Sequence, residues 1–273
     1  MHTDKPNPRL AVLIDADNTF NVIPIIDALF EEISKFGDAS IRRIYGDWTQ
    51  HQLSRWKEVL PKHAIQPMQQ YANTKGKNAT DSALIIDAMD LLYTAPLDGV
   101  CIVSSDSDFT RLAIRFRESG KSVYGFGEAK TPESLRAACN RFVFIEILSQ
   151  DKKADTDESA AVMDKSTADK PDTLSKQATA IAEPLLLSPT VKKTSQQLAM
   201  DAKLVSLTRS AIEALSEDDG FANLSEVKKH MIKNYSAFDS RNYGYAKFSE
   251  LIQSIGLFEL DHKKQHVKDK RKK

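Results

Sequence analysis

Three short stretches place acids where acids can do chemistry: Asp15-Ala16-Asp17-Asn18-Thr19, Thr80-Asp81, and Ser104-Ser105-Asp106-Ser107-Asp108. The first and third follow directly on the apolar runs Leu10-Ala11-Val12-Leu13-Ile14 and Gly99-Val100-Cys101-Ile102-Val103, which are short and do not alternate. That pattern belongs to parallel strands buried on both faces. A single acid at such a strand end has a local explanation, since Asp suits turns and helix N-caps. Several acids on one sheet edge need more, because the ligand crevice of an open parallel sheet lies beyond the carboxyl ends of its strands. Carboxylates gathered there repel one another unless a cation compensates. An all-oxygen set suits magnesium or manganese, either of which can activate water and stabilise charge on a scissile phosphate.

The elements around these acids decide whether they meet. Ile25, Ile26, Leu29, Phe30 and Ile33 give the helix after the first strand, Ile41 to Tyr45 a second strand, and a further helix is expected from about Gln50 to Leu60, closed by Pro61. Ala64 to Gln69 is a weaker third strand, and Pro67 assigns it to an edge. Leu84, Ile85, Ala88, Met89 and Leu92 form the apolar face of the next helix. At about 100° per residue, Asp81 tops that face, Asp90 points to solvent, and Asp87 is intermediate and structural. After the fourth strand, Phe109, Leu112, Ala113 and Phe116 give a helix beginning near Asp106. A fifth strand at Ser122 to Phe126, a short helix after Pro132 and a last strand around Phe142 to Ile145 complete the alternation. Regular alternation of this kind implies a three-layer α/β/α domain with a parallel sheet. In a strand order 3-2-1-4-5, the first and fourth strands are neighbours at the switch point, which would bring Asp15, Asp106, Asp108 and Asp81 together.

With Lys+Arg and Asp+Glu both at 38 in 273 residues, the chain lacks the basic excess that advertises many nucleic-acid binders. Its two cysteines, Cys101 and Cys139, read as reduced core thiols and not as a disulfide or zinc framework. No signal-peptide or membrane-spanning run occurs, so a cytoplasmic protein without a membrane partner is expected. The domain at 8–148 gives way to a polar stretch at 149–195 that reads as a disordered linker, with Pro184 to Pro189 its only apolar cluster. Order returns at 196–262. Leu198 to Leu215 reads as an amphipathic helix, Asn223 caps a second, and Asp239-Ser240 caps a third that ends at Gly256. Leu257 to Leu260 starts a small wing, which makes a winged helix-turn-helix, and residues 263–273 form a basic tail. Lys75, Lys77 and Arg111 are candidates for phosphate contact, and Tyr45 and Trp48 either stack on a base or pack under a loop.

The segments Val12 to Asn18, Lys77 to Asp87 and Val103 to Phe109 resemble the NYN domain, a branch of the PIN-like nucleases, in its LabA-like bacterial form. Asp219 to Ser225 and Phe238 to Phe248 resemble the OST-HTH or LOTUS domain, a winged helix associated with RNA and, in some members, with proteins. The resemblance implies a metal-dependent ribonuclease in which Asp15, Asp81, Asp106 and Asp108 bind the metal and Asn18 orients the first carboxylate. It implies RNA as a partner, with Arg241, Tyr243 and Lys247 of the small domain as candidate contacts, and leaves open a protein partner and self-association. Two other functions compete. One is a non-catalytic RNA- or protein-binding adaptor. The other is a haloacid-dehalogenase-like phosphatase, whose D-x-D-x-T opening Asp15 to Thr19 also matches.

Overall fold

The structure, a computed structural model of the chain, describes residues 7–71, 79–149, 192–217 and 219–271. Six parallel strands build the first domain: β1 (Arg9–Asp15), β2 (Asp38–Gly46), β3 (Gln66–Gln69), β4 (Gly99–Val103), β5 (Ser122–Gly127) and β6 (Arg141–Phe144). Their order is β3-β2-β1-β4-β5-β6, so β1 and β4 are neighbours and the connections reverse direction between them. Ile14 pairs with Val103 and Asp15 with Tyr45, which aligns the ends of the central strands. β1 and β4 are buried on both sides, apart from Arg9, as their unbroken apolar runs require. β3 lies at the sheet edge, where Pro67 withholds no ladder hydrogen bond from an inner strand.

One face of the sheet is covered by α1 (Ile26–Ser34), by a 3-10 segment at His51–Glu58 that seats Leu53 and Trp56, and by α5 (Ile145–Leu148). The expected helix at 50–60 therefore winds more tightly, and the three-residue spacing of Leu53 and Trp56 suits that tighter turn. The other face carries α2 (Ala79–Thr94), α3 (Thr110–Glu118) and α4 (Glu133–Ala138). Cys101 and Cys139 are free buried thiols. Among the described residues no helix is long and apolar enough to cross a membrane.

The second domain begins with a capping box at Thr194. The apolar stretch expected as one helix is two, α6 (Ser195–Met200) and α7 (Ala202–Leu215), because Asp201 leaves helical geometry and caps the backbone N–H of Leu204 at 3.1 Å. Asn223 caps α8 (Leu224–Asn234), as expected. Asp239 caps only a 3-10 turn at Ser240–Tyr243; Gly244, at φ +82°, breaks the path before α9 (Phe248–Ile255), which Gly256 ends in the left-handed region. The wing is a three-stranded antiparallel sheet in the order β7 (Ala222–Asn223), β9 (His266–Asp269), β8 (Phe258–Leu260). The stretch expected as a free basic tail thus supplies the central strand of that sheet. Asp269 anchors it, buried and paired with Arg209 at 3.1 Å and Arg271 at 2.9 Å. The expected linker, with its Pro184 to Pro189 cluster, lies outside the described residues.

The two domains touch. Phe142 of the edge strand β6 donates its backbone N–H to the Ser236 carbonyl at 3.0 Å, and Ala237 is fully buried against the first domain's core. Arg141 pairs with Asp239 at 2.5 Å, and Arg241 grips Glu32 of α1 through two bonds of 2.7 and 3.0 Å while also binding Asp239. Covering β6 in this way removes an exposed strand edge. Arg241, a candidate RNA contact from the sequence, is thereby committed to holding the domains together. Burial pushes the Glu32 and Asp239 carboxyls up, but Arg241 beside both, with Lys35 at Glu32 and Arg141 at Asp239, pulls each below its ordinary value.

Replacing Arg241 by Ala leaves Glu32 and Asp239 buried with too few partners. We expect a loss of about 2–3 kcal/mol, below the ~3–5 kcal/mol for a fully buried pair because a fifth of the Arg241 side chain is exposed. Thermal unfolding of Arg241→Ala against the wild type measures it. Because both carboxyls are depressed, their contribution is complete above their ordinary values of 4.5 and 3.8 and is lost as pH falls through the lower folded values. The gap between the two proteins should therefore close on acidification, and an undiminished gap would contradict the ion-pair account.

Candidate active site

β1 ends at Asp15 because the residues after it turn the chain with their own side chains. The Asp15 carboxylate accepts the Asp17 backbone N–H at 3.2 Å, and the Thr19 hydroxyl donates to the Asp15 carbonyl, the local bonding that favours Asp, Asn and Thr in turns. Asp15 is fully buried. One of its oxygens accepts from Asn18 Nδ2 at 2.7 Å and from Ser104 Oγ at 2.9 Å. Burial pushes its pKa up, and those two hydrogen bonds partly offset the rise.

Ser104, also buried, links the two strand ends. Its hydroxyl donates to Asp15 and accepts the backbone N–H of Asp106 at 3.1 Å. Asp106 then caps a 3-10 turn at Ser107–Phe109 by accepting the Asp108 N–H at 2.9 Å, and α3 follows. The helix expected at Asp106 thus opens through this turn, which sets Asp106 and Asp108 side by side. Asp81 stands in the first turn of α2.

Asp81, Asp106 and Asp108 each offer an oxygen within 4.8 Å of the other two. Asp15 is not part of that mutual set, but its charge acts on it. The Asp81 carboxyl is pushed up to about 6, first by burial, then by the charges of Asp15, Asp106, Asp108 and Asp17. Three crowded carboxylates above a fourth, buried one form a donor set of hard oxygens, which fits a divalent cation of the magnesium or manganese type.

Asp87 holds α2 in place. It accepts from Arg43 at 2.5 and 2.7 Å and from the Tyr45 hydroxyl. Tyr45 is fully buried opposite Asp15 in the sheet, and Trp48 donates its indole N–H to the Met68 carbonyl at 3.1 Å. Tyr45 is thus a packing residue, while Trp48 is half-buried against the core on the α1 face of the sheet. Asp90 is exposed, as its helical position requires.

Beside the acids lies a pocket of about 220 Å³ lined by Asn18, Ser105, Asp106, Ser107, Lys130 and Pro132. Lys130 is mostly exposed and pairs with Glu128 at 2.7 Å. Sequence spacing gives no signal for Lys130, which arrives from the loop after β5. The pair Ser104-Ser105 before the acids did carry a signal, but not which hydroxyl binds which partner. Of the remaining candidates, Arg111 stands exposed on the first turn of α3, and Lys75 and Lys77 lie outside the described residues. In the second domain Lys247 is exposed before α9, while Tyr243 is half-buried, tilted against Phe238 and covered by Lys193 at 4.8 Å.

Comparison with known proteins adds family context to this geometry. A family model described as the NYN domain matches residues 9–146, and one for the OST-HTH/LOTUS domain matches residues 199–268. An uncharacterized protein of Methanocaldococcus jannaschii is 28% identical over 127 residues, 45% of this chain and 49% of the relative. The chain therefore spans about half the length of the curated relative it matches. Among solved structures the chain is similar to a protein of unknown function from Vibrio parahaemolyticus, at 18% identity and a TM-score of 0.45, over 53% of this chain and 96% of that one. It is also similar to a LacI-family transcriptional regulator from Brachyspira murdochii, at 11% identity and a TM-score of 0.26, over 56% of this chain and 40% of that one.

Crowded carboxylates destabilise the ion-free protein, so removing one charge should help it. We expect Asp108→Asn to raise the melting temperature in chelator by a few degrees, since about 1 kcal/mol moves it ~2–4 °C in a protein of this size. Manganese should raise the wild-type value and barely move the variant. A wild-type melt unmoved by the ion would refute the metal site.

Proposed function

The chain belongs to the NYN-domain family, within the PIN-like nuclease superfamily, and from that premise we propose that it is a metal-dependent endoribonuclease that hydrolyses RNA phosphodiesters. The observation that carries this reading is the convergence of Asp81, Asp106 and Asp108 within 4.8 Å beside a pocket that holds a cation of its own, Lys130. Asp81, Asp106 and Asp108 would hold the ion, with Asp15 adding negative charge from below. Magnesium or manganese bound there supplies an activated water and a counter-charge for the scissile phosphate.

The chain's own groups do the rest. Ser104 and Asn18 orient Asp15, and Ser104 also fixes the backbone of Asp106, so the acids are set before substrate arrives. Asn18, Ser105 and Ser107 offer hydrogen bonds to phosphate oxygens in the small pocket, and Lys130 offers charge. Arg111, on the first turn of α3, extends the contact along the RNA backbone, where such contacts position without reading sequence, and Lys75 and Lys77 are further candidates for it from the chain that precedes Asp81. The OST-HTH/LOTUS domain belongs to an RNA-binding class and serves as the recruiting module, with Lys247 and Tyr243 as its candidate contacts. Burial of Asp15 under two hydrogen bonds counts against the phosphatase alternative, which needs that carboxylate exposed as a nucleophile.

The test uses the purified full chain with single-stranded and structured RNA in manganese, magnesium or chelator. Cleavage should require the divalent ion. Ser104→Ala should lose about 10–100-fold, the usual cost of removing a group that orients a metal ligand, and Asp106→Asn should lose more. RNA binding without cleavage in any ion would reject the nuclease and leave the adaptor reading.

A further inference from the structure

Where the two domains meet, a cleft of about 520 Å³ opens on the α4 side of the sheet. The first domain contributes Arg117, Glu133 and Arg136, and the second contributes Lys229, Lys233 and Tyr235. Four cations thus face one acid, and that acid, Glu133, already has Lys203 at 3.5 Å across the domain boundary. In a chain whose charges sum to zero, this is a local concentration of positive charge with walls that focus its field.

The cations are differently placed. Arg117 and Lys233 are exposed, and Lys233 forms no ion pair among the described residues. Lys229 pairs with Glu226 only at the surface, a contact of little strength. Arg136 reaches the Tyr235 hydroxyl at 3.2 Å and lies 5.8 Å from the centre of the Phe144 ring, yet its Nε is buried without a hydrogen-bond partner. An unsatisfied buried donor is a cost that an incoming acceptor would relieve.

The segment at the start of α4 connects the cleft to the pocket beside the acids. Pro132 lines the small pocket beside Asp106, and its chain neighbour Glu133 lines the cleft. From there α4 carries the cleft wall away for about 9 Å at 1.5 Å per residue. A volume within the ~300–1,000 Å³ range of ligand sites leaves room for a short single strand and not for a duplex.

We infer that this interdomain cleft binds the phosphate backbone of single-stranded RNA and leads it along α4 to the acidic site. The inference rests on the ribonuclease reading for its choice of polymer, and it names the surface that reading lacks. It also gives the docking of the domains a purpose, because neither domain alone carries both cationic walls.

The experiment measures anisotropy of a fluorescein-labelled single-stranded RNA with the full chain in chelator, over a salt series. Lys229→Ala/Lys233→Ala, from one wall, should raise Kd about ten-fold and lower the salt slope by about 1.4, at roughly 0.7 per lost phosphate contact. Arg117→Ala, from the opposite wall, should weaken binding in the same direction with about half that change in slope. Arg55→Ala/Lys57→Ala, on the far face of the sheet, should bind as the wild type does. Unchanged affinity in either wall variant overturns the cleft. If the wild type still cleaves RNA in that case, the nuclease stands and the basic face is left to a protein partner. Cation-dependent binding without cleavage in any divalent ion does the reverse, keeping the cleft and rejecting the nuclease. A wild type that neither binds nor cleaves RNA rejects both.

Discussion

The hydrogen bond from Ser104 to Asp15 is the constraint on which the site depends. A carboxylate at the end of a fully buried strand has lost its water, and burying a charge without partners is among the costliest things a fold can do. Ser104 and Asn18 make the burial tolerable. Ser104 bonds at once to the last residue of β1 and to the backbone that leads into α3, so it fixes the separation of the two strand ends. The strands lie beside each other because the sheet reverses direction there, and the serine converts that adjacency into a defined geometry for the acids.

The acids then resist being gathered. Burial first, and then the charges of Asp15, Asp106, Asp108 and Asp17, push the Asp81 carboxyl up to about 6, so part of that rise is repulsion held in the ion-free arrangement. Something must keep α2 from backing away. Asp87, six residues further along the same helix, is clamped by Arg43 and the buried Tyr45 hydroxyl on β2. An ordinary ion pair on one side of the helix thus supports an unfavourable cluster at its tip, the usual relation between a strained site and its scaffold.

The second domain is held by the same kind of interaction. Arg241 and Arg141 would be expensive to bury alone; against Glu32 and Asp239 they become a lock, provided all are present. The docking covers the open edge of β6 and builds a cationic wall opposite that of the first domain. The connection between domains is therefore a surface with its own charge pattern, whatever the chain between them does.

Much was legible in the sequence. Unalternating apolar runs gave the two central strands, Pro67 put a weaker one at an edge, and the regular alternation of strands with helices placed Asp15 and Asp106 on neighbouring strand ends. Asn223 and Gly256 marked a helix start and a helix stop. These signals are local, arising from burial periodicity and from the backbone preferences of Asn, Gly and Pro. What only the tertiary structure decided is long-range: that Asp15 lies beneath a set of three acids, that Asp87 clamps α2, that residues 266–269 are the middle strand of the wing, and that Arg241 faces Glu32 and not solvent. Arg241 and Glu32 are 209 positions apart, and no pattern in either neighbourhood says that the other exists. Whether a charge is solvated or paired follows from which surfaces fold together, and that is settled only when the whole chain packs.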